Sequence, residues 1–127
     1  MKSLLAPIVS LFLLGSCAKA DHELNPPSRT GARPVKVTFI ELGSVNCIPC
    51  IKMQGVMREI EQEYQDQVQI VFYDVWTEAG KPYAQQYRIR VIPTQVFLDE
   101  KGNEYFRHEG YFPKEELVQV LRQKGVR

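Results

Sequence analysis

The sequence predicts an α/β domain in which helices flank a mixed four-stranded sheet. Three observations predict it. In the first half of the folded part, β-branched and apolar runs alternate with helical periodicity, the pattern of parallel strands joined by right-handed crossovers. Later, Asp99-Glu100-Lys101-Gly102-Asn103 separates two strand-like runs and supplies a hairpin turn, which adds antiparallel strands. A hydrophobic content of 44% in 127 residues is that of a globular chain able to bury one core. The element order read along the chain is β-α-β-α-β-β-α.

The first sixteen residues stand apart from that domain. Lys2 precedes Leu4, Leu5, Ile8, Val9, Leu11, Phe12, Leu13 and Leu14. An apolar stretch of about a dozen residues is shorter than the roughly 20 that span a bilayer, and it fits the central region of an export signal. A short uncleaved anchor is the alternative. Leu14-Gly15-Ser16-Cys17 resembles a bacterial lipobox. By that resemblance the chain is cut before Cys17, and the cysteine carries a thioether-linked lipid. Residues 17–34 are polar and contain Pro, Gly and Ser. They read as a tether with an r.m.s. span of roughly 20–25 Å. His22 falls in it as a solvated residue. The domain proper is residues 35–127.

Val35–Leu42 reads as a buried first strand. After it, Met53, Val56, Met57, Ile60 and Tyr64 recur at helical spacing, with Lys52, Arg58, Glu59, Glu61 and Glu63 on the outside. Val68–Val75 is a second strand, rich in β-branched and aromatic residues. Residues 79–88 form a short helix carrying Tyr83, Ala84 and Tyr87. Thr94–Leu98 and Glu104–His108 are the hairpin strands. Pro113 opens a last helix with Glu115 and Glu116 in its first turn, Leu117, Val120 and Leu121 on its apolar face and Gly125 past its end.

Charge and cysteine usage narrow the function. Sixteen basic and fifteen acidic residues leave a net charge of +1, with no basic stripe, which argues against nucleic-acid binding. With Cys17 assigned to lipid, the remaining cysteines are the pair in Cys47-Ile48-Pro49-Cys50. This pair lies between the first strand and the first helix, at a helix N-terminus. Unpaired N–H groups and the helix dipole favour a thiolate there. A thiolate is the attacking species in disulfide exchange, so the segment points to redox chemistry. Pro49 is tolerated in a first helical turn, where its missing N–H is not needed, and it stiffens the turn.

Three features, in order, resemble the thioredoxin superfamily: the CxPC turn at 47–50, Ile92-Pro93-Thr94 before the third strand, and Gly110 after the fourth. The likeness spans about residues 35–125 and implies a thioredoxin-like fold. It implies that Cys47 is the nucleophile, that Cys50 resolves the mixed disulfide, and that Ile92–Pro93 is a cis peptide lying against the dithiol. Ile48, Pro49, Ile92, Pro93 and Thr94 would form the substrate-binding edge. It also places an acid, Glu41, behind the dithiol, where a buried carboxylate can accept the Cys50 proton. A strand-end Glu reaching solvent is the bland alternative.

The sequence departs from the family pattern at Asn46, where many thioredoxins have Trp. Trp76, in a loop (76–82) longer than in the smallest relatives, is expected to pack in the core or within its loop, with a lid over the dithiol as the alternative. Lys52 and His108 are expected to be solvated or structural. Tyr64, Tyr87, Tyr105 and Phe106 are expected to be core or half-buried.

The expected function is that of an exported, lipid-anchored thiol–disulfide oxidoreductase at the periplasmic or outer face of a membrane. It would reduce protein disulfides, in apocytochrome c maturation or disulfide repair, and draw electrons from a membrane carrier. It is expected to need no cofactor beyond the 47–50 disulfide and to be a monomer with protein thiols and disulfides as partners. A thiol oxidase, a CxxC copper-binding chaperone and a sheet-edge binding module are the alternatives. Two thiolates suit Cu(I) better than a four-ligand structural zinc site.

Overall fold

Seven regular elements follow in the expected order in the computed structural model, which describes residues 34–127. They are β1 (Val37–Gly43), α1 (Ile48–Tyr64), β2 (Val68–Asp74), α2 (Lys81–Gln86), β3 (Thr94–Asp99), β4 (Glu104–Glu109) and α3 (Lys114–Arg122). The predicted export signal, Cys17 and the predicted tether through residue 33 lie outside the described residues.

The sheet order is β2-β1-β3-β4. β1 pairs with β2 in parallel and with β3 antiparallel, and β3 pairs antiparallel with β4. β1 is therefore central and covered on both faces, which explains its near-continuous apolar run. Successive side chains alternate between faces. Val37 and Phe39 point into one core, where Phe39 stacks on Phe97 with ring centroids 4.9 Å apart. Met53, Val56, Met57 and Ile60 of α1 and Leu117, Val118, Val120 and Leu121 of α3 close that core. Ile40, Leu42 and Val96 face the other way, against Tyr83 and Ala84 of α2 and Tyr87 just past its end.

The boundaries differ from expectation where the end residues have other work. Val35 precedes β1 and is 40% exposed. Val75 lies past β2 but stays buried, its N–H donating to the Gly43 carbonyl at 2.9 Å. α2 is shorter than the predicted 79–88. Gly80 before it is pressed so closely on the Asp74 carbonyl that a Cβ there would overlap it. At the other end, Arg88 turns into the left-handed region at φ 52° and stops the helix.

Trp76 corrects an expectation: it is 58% exposed and not in the core. β2 alternates Val68, Ile70 and Phe72 toward one core and Val71, Tyr73 and Val75 toward the other. Trp76 falls two residues beyond the end of β2 at Asp74, past the buried Val75, and its ring is left to solvent.

Candidate active site

The C-terminal end of β1 delivers the chain to the dithiol. Cys47 is the N-cap of α1, in an extended conformation (φ −101°, ψ 123°), and Pro49 sits inside the first turn. No side chain caps the helix, so its first N–H groups remain available to a charge at the N-terminus. Cys47 and Cys50 are joined as a disulfide, with Cα atoms 5.1 Å apart. Cys47 retains 8% exposure and Cys50 none. The outer sulfur is thus the one a partner reaches first, and the inner one is screened beneath it.

The turn before Cys47 is stitched by Ser44. Its carbonyl accepts the Cys47 N–H at 3.3 Å and its hydroxyl accepts the Asn46 N–H at 3.3 Å. Asp74, at the end of β2, adds a second stitch. One carboxylate oxygen accepts the Val45 N–H at 3.3 Å and the other accepts the Trp76 N–H at 3.1 Å. One side chain thereby ties the loop after β1 to the loop after β2.

The Ile92–Pro93 peptide is cis. Its segment reaches the same end of the sheet, because Thr94 pairs with Leu42 on one side and Glu109 on the other. The Thr94 hydroxyl donates to the Val91 carbonyl at 2.7 Å, and the Gly110 N–H donates to the Pro93 carbonyl at 2.8 Å. Pro93 and Thr94 are buried and Ile92 is half-buried, whereas Ile48 is 74% exposed and Pro49 is exposed. Of seven large apolar side chains left exposed among the described residues, six stand around this end: Val45, Ile48, Ile51, Trp76, Val91 and Tyr111. Only Val35 stands at the other. All six thus stand at the end of the sheet that carries the disulfide.

Beneath the disulfide lies Glu41, fully buried on the face of β1 that carries Val37 and Phe39. Neither carboxyl oxygen has a hydrogen-bond partner. Burial pushes its pKa up to about 8, opposed only by the neighbouring Gln95 amide. Gln95 is its cross-strand partner on β3, and the Gln95 amide also makes no bond of good geometry. Gly43 explains how acid and sulfur come so close. A Cβ there would lie 3.2 Å from Cys50 Sγ and 3.6 Å from Glu41 Oε1, so the absent side chain leaves one shared space between them.

Thus Cys47, Cys50, Glu41, Pro93 and Thr94 gather at one end of the sheet. Lys52 is an exposed outward residue of α1. His108 stacks on Phe112 at 4.1 Å. Among the described residues, no cluster of three or more His, Cys, Asp or Glu is placed to hold a metal. A surface cavity of about 530 Å³ lies along β4, lined by Tyr87, Arg88, Arg90, Glu104, Arg107 and Glu109. Its charges largely pair off, Arg90 with Glu109 and Arg107 with Glu104, and it is lined by none of the redox-site residues.

Residues 28–125 match the thioredoxin-like domain family. The chain belongs to that family. It is similar to thioredoxin 1 of Synechococcus elongatus, 37% identical over 75 residues that cover 59% of this chain and 67% of that one. It is also similar to the chloroplastic thioredoxin-like protein HCF164 of Arabidopsis thaliana, 30% identical over 84 residues covering 66% of this chain. The match spans only 32% of that HCF164, about a third of its length. Among solved structures, thioredoxin O2 of Arabidopsis thaliana in its oxidized state superimposes with a TM-score of 0.61 at 20% identity, covering 72% of this chain and 78% of that one. Fasciola hepatica thioredoxin does so at 0.61 and 19%, covering 75% and 86%. At those identities the structures establish the fold. Family membership together with the paired sulfurs of the CxxC supports thiol–disulfide oxidoreductase chemistry.

Sequence reasoning passed over Gln95 and Asp74. For Gln95 a signal was present: an amide directly before the apolar run Val96-Phe97-Leu98, within the predicted third strand.

Proposed function

We propose that this domain reduces disulfides of substrate proteins outside the cytosol, held at the cell envelope through lipid on Cys17. The observation that carries the reading is the buried, unpartnered Glu41 beside Cys50, beneath a partly exposed Cys47. In the reduced domain, the Cys47 thiolate attacks a substrate disulfide. A Cys47–substrate bond forms, the substrate S–S bond breaks, and one substrate sulfur leaves as a thiolate that takes a proton from water. Glu41, as carboxylate, then takes the proton of the Cys50 thiol. Cys50 attacks Cys47 Sγ, the 47–50 disulfide closes, and the second substrate sulfur leaves. The substrate gains two electrons and the domain loses two. A membrane electron carrier restores the dithiol, and no cofactor takes part. The domain acts as a monomer.

A pKa near 8 suits that proton transfer, since a neutral-pH base works best when its pKa lies near the working pH. Ile48, Pro49, Ile92, Pro93 and Thr94 form the substrate edge, and the six apolar side chains around it favour unfolded or partly folded chains over charged ones.

Two measurements test this. Cys50→Ser should accumulate mixed disulfides between Cys47 and substrate proteins in cells, and their recovery names the substrates. The reduction potential should fall near the −270 mV typical of thioredoxin. A value near −120 mV would turn the domain into an oxidant, and a Cys50→Ser protein that traps nothing would remove the exchange reading altogether.

A further inference from the structure

Gln95 is a fully buried polar side chain with no role in the steps above. Both its amide oxygen and its amide nitrogen lack a hydrogen-bond partner. Buried amides are seldom left so, because each orphaned group costs about 1–3 kcal/mol. Its position explains the exception. Gln95 on β3 stands directly opposite Glu41 on β1, and residues so paired present their side chains on the same face of the sheet. The next rung, Phe39 opposite Phe97, confirms the shared face by its stacked rings. On the other side of β1, Glu41 pairs with Phe72, which offers no polar atom. From α1 the titratable group facing the acid is Cys50, joined to Cys47. No charged side chain acts on the carboxyl. Four orphaned polar atoms, two on the acid and two on the amide, therefore share one apolar compartment.

We propose that Gln95 is a positioning residue that serves both protonation states of Glu41. An amide is a donor and an acceptor on one terminus. When Glu41 is a carboxylate, Gln95 Nε2–H donates to it. When Glu41 has taken the Cys50 proton, its O–H donates to Gln95 Oε1. The amide itself neither gains nor loses a proton. The exchange needs only a rotation about the last side-chain bond, a torsion with a broad profile. A hydrogen bond to a charged group is roughly twice as strong as a neutral one, so the amide also favours the carboxylate and keeps the acid within reach of neutral pH.

This rests on the reading of Glu41 as the proton acceptor, and the test separates the two. The Glu41 carboxyl is followed through pH by carbon-13 NMR in the reduced full domain of wild type, Gln95→Leu and Gln95→Met. The same proteins are assayed for release of a model mixed disulfide from Cys47, which reports Cys50 attack, as a function of pH. Gln95→Met retains length and volume without a donor, and it stands in if Gln95→Leu does not fold. The expected result is that the carboxyl midpoint rises by about one pH unit. The pH at which Cys50 attack is half-maximal should rise with it. An unchanged midpoint in the methionine variant overturns the role of Gln95. A raised midpoint with an unmoved attack profile upholds the pairing of Gln95 with Glu41 but overturns the relay through Glu41.

Discussion

Two neighbouring rungs of one ladder teach opposite lessons. Phe39 with Phe97 and Glu41 with Gln95 lie two residues apart on the same two strands and the same face, and all four side chains are fully buried. The first rung is two rings stacked at 4.9 Å, and its burial holds the sheet to α1 and α3. The second is two polar groups with no hydrogen-bond partner, placed under Cys50. Burial alone therefore does not tell a satisfied position from an unsatisfied one. The fold packs two rings on one rung and leaves two buried polar groups without partners on the next.

Substitutions sharpen that contrast. The largest effect is expected at the aromatic rung: Phe39→Ala should cost about 3–5 kcal/mol in urea unfolding at every pH, through lost burial and a cavity. Glu41→Leu should act in the opposite sense and with a pH signature. The folded pKa of Glu41 is raised from 4.5 to about 8, so the folded state binds a proton that the unfolded state releases across that window. Stability linked to Glu41 is complete below about pH 4.5 and is lost as pH climbs through about 8. The leucine variant should flatten that decline and gain on the order of 3 kcal/mol at pH 8.5, measured by chemical denaturation. Its Cys50 attack at pH 7 should slow by about 10²-fold. A leucine variant with wild-type pH dependence would erase the distinction between the rungs.

Smaller effects follow away from the ladder. Asp74→Ala removes the acceptor of two loop N–H groups and should cost about 1–2 kcal/mol, with KM for protein substrates rising more than kcat falls. Trp76→Ser should change stability by less than about 0.5 kcal/mol, since the ring is exposed, while weakening binding of unfolded substrates in a reductase assay.

Much of this arrangement was legible in the chain itself. Helical spacing from Met53 to Tyr64 marked α1 and its buried face, and the Gly102 turn marked the hairpin. Cys47 and Cys50 were marked by their place between strand and helix. Glu41 was found through likeness to the thioredoxin superfamily, because nothing local distinguishes a buried strand-end glutamate from a solvated one. Gln95 escaped because its meaning depends on register: β1 and β3 are more than fifty residues apart, and a shift of one residue would turn its amide to the opposite face. Trp76 was misjudged for a related reason. Hydrophobicity predicts burial only where a layer exists to do the burying, and β2 ends two residues before it, at Asp74.

The short loop between β2 and α2 is held fast where it leaves the strand and where it enters the helix. Gly80 is clasped to the Asp74 carbonyl by main-chain proximity, and the Thr77 hydroxyl spans the same gap by donating to that carbonyl at 2.7 Å and accepting the Gly80 N–H at 3.0 Å. The loop is thus anchored at its two feet while Trp76 and Ala79 project freely. Those two positions accept an exchange of side chains without disturbing the loop, with Thr77 and Gly80 left untouched as the rivets.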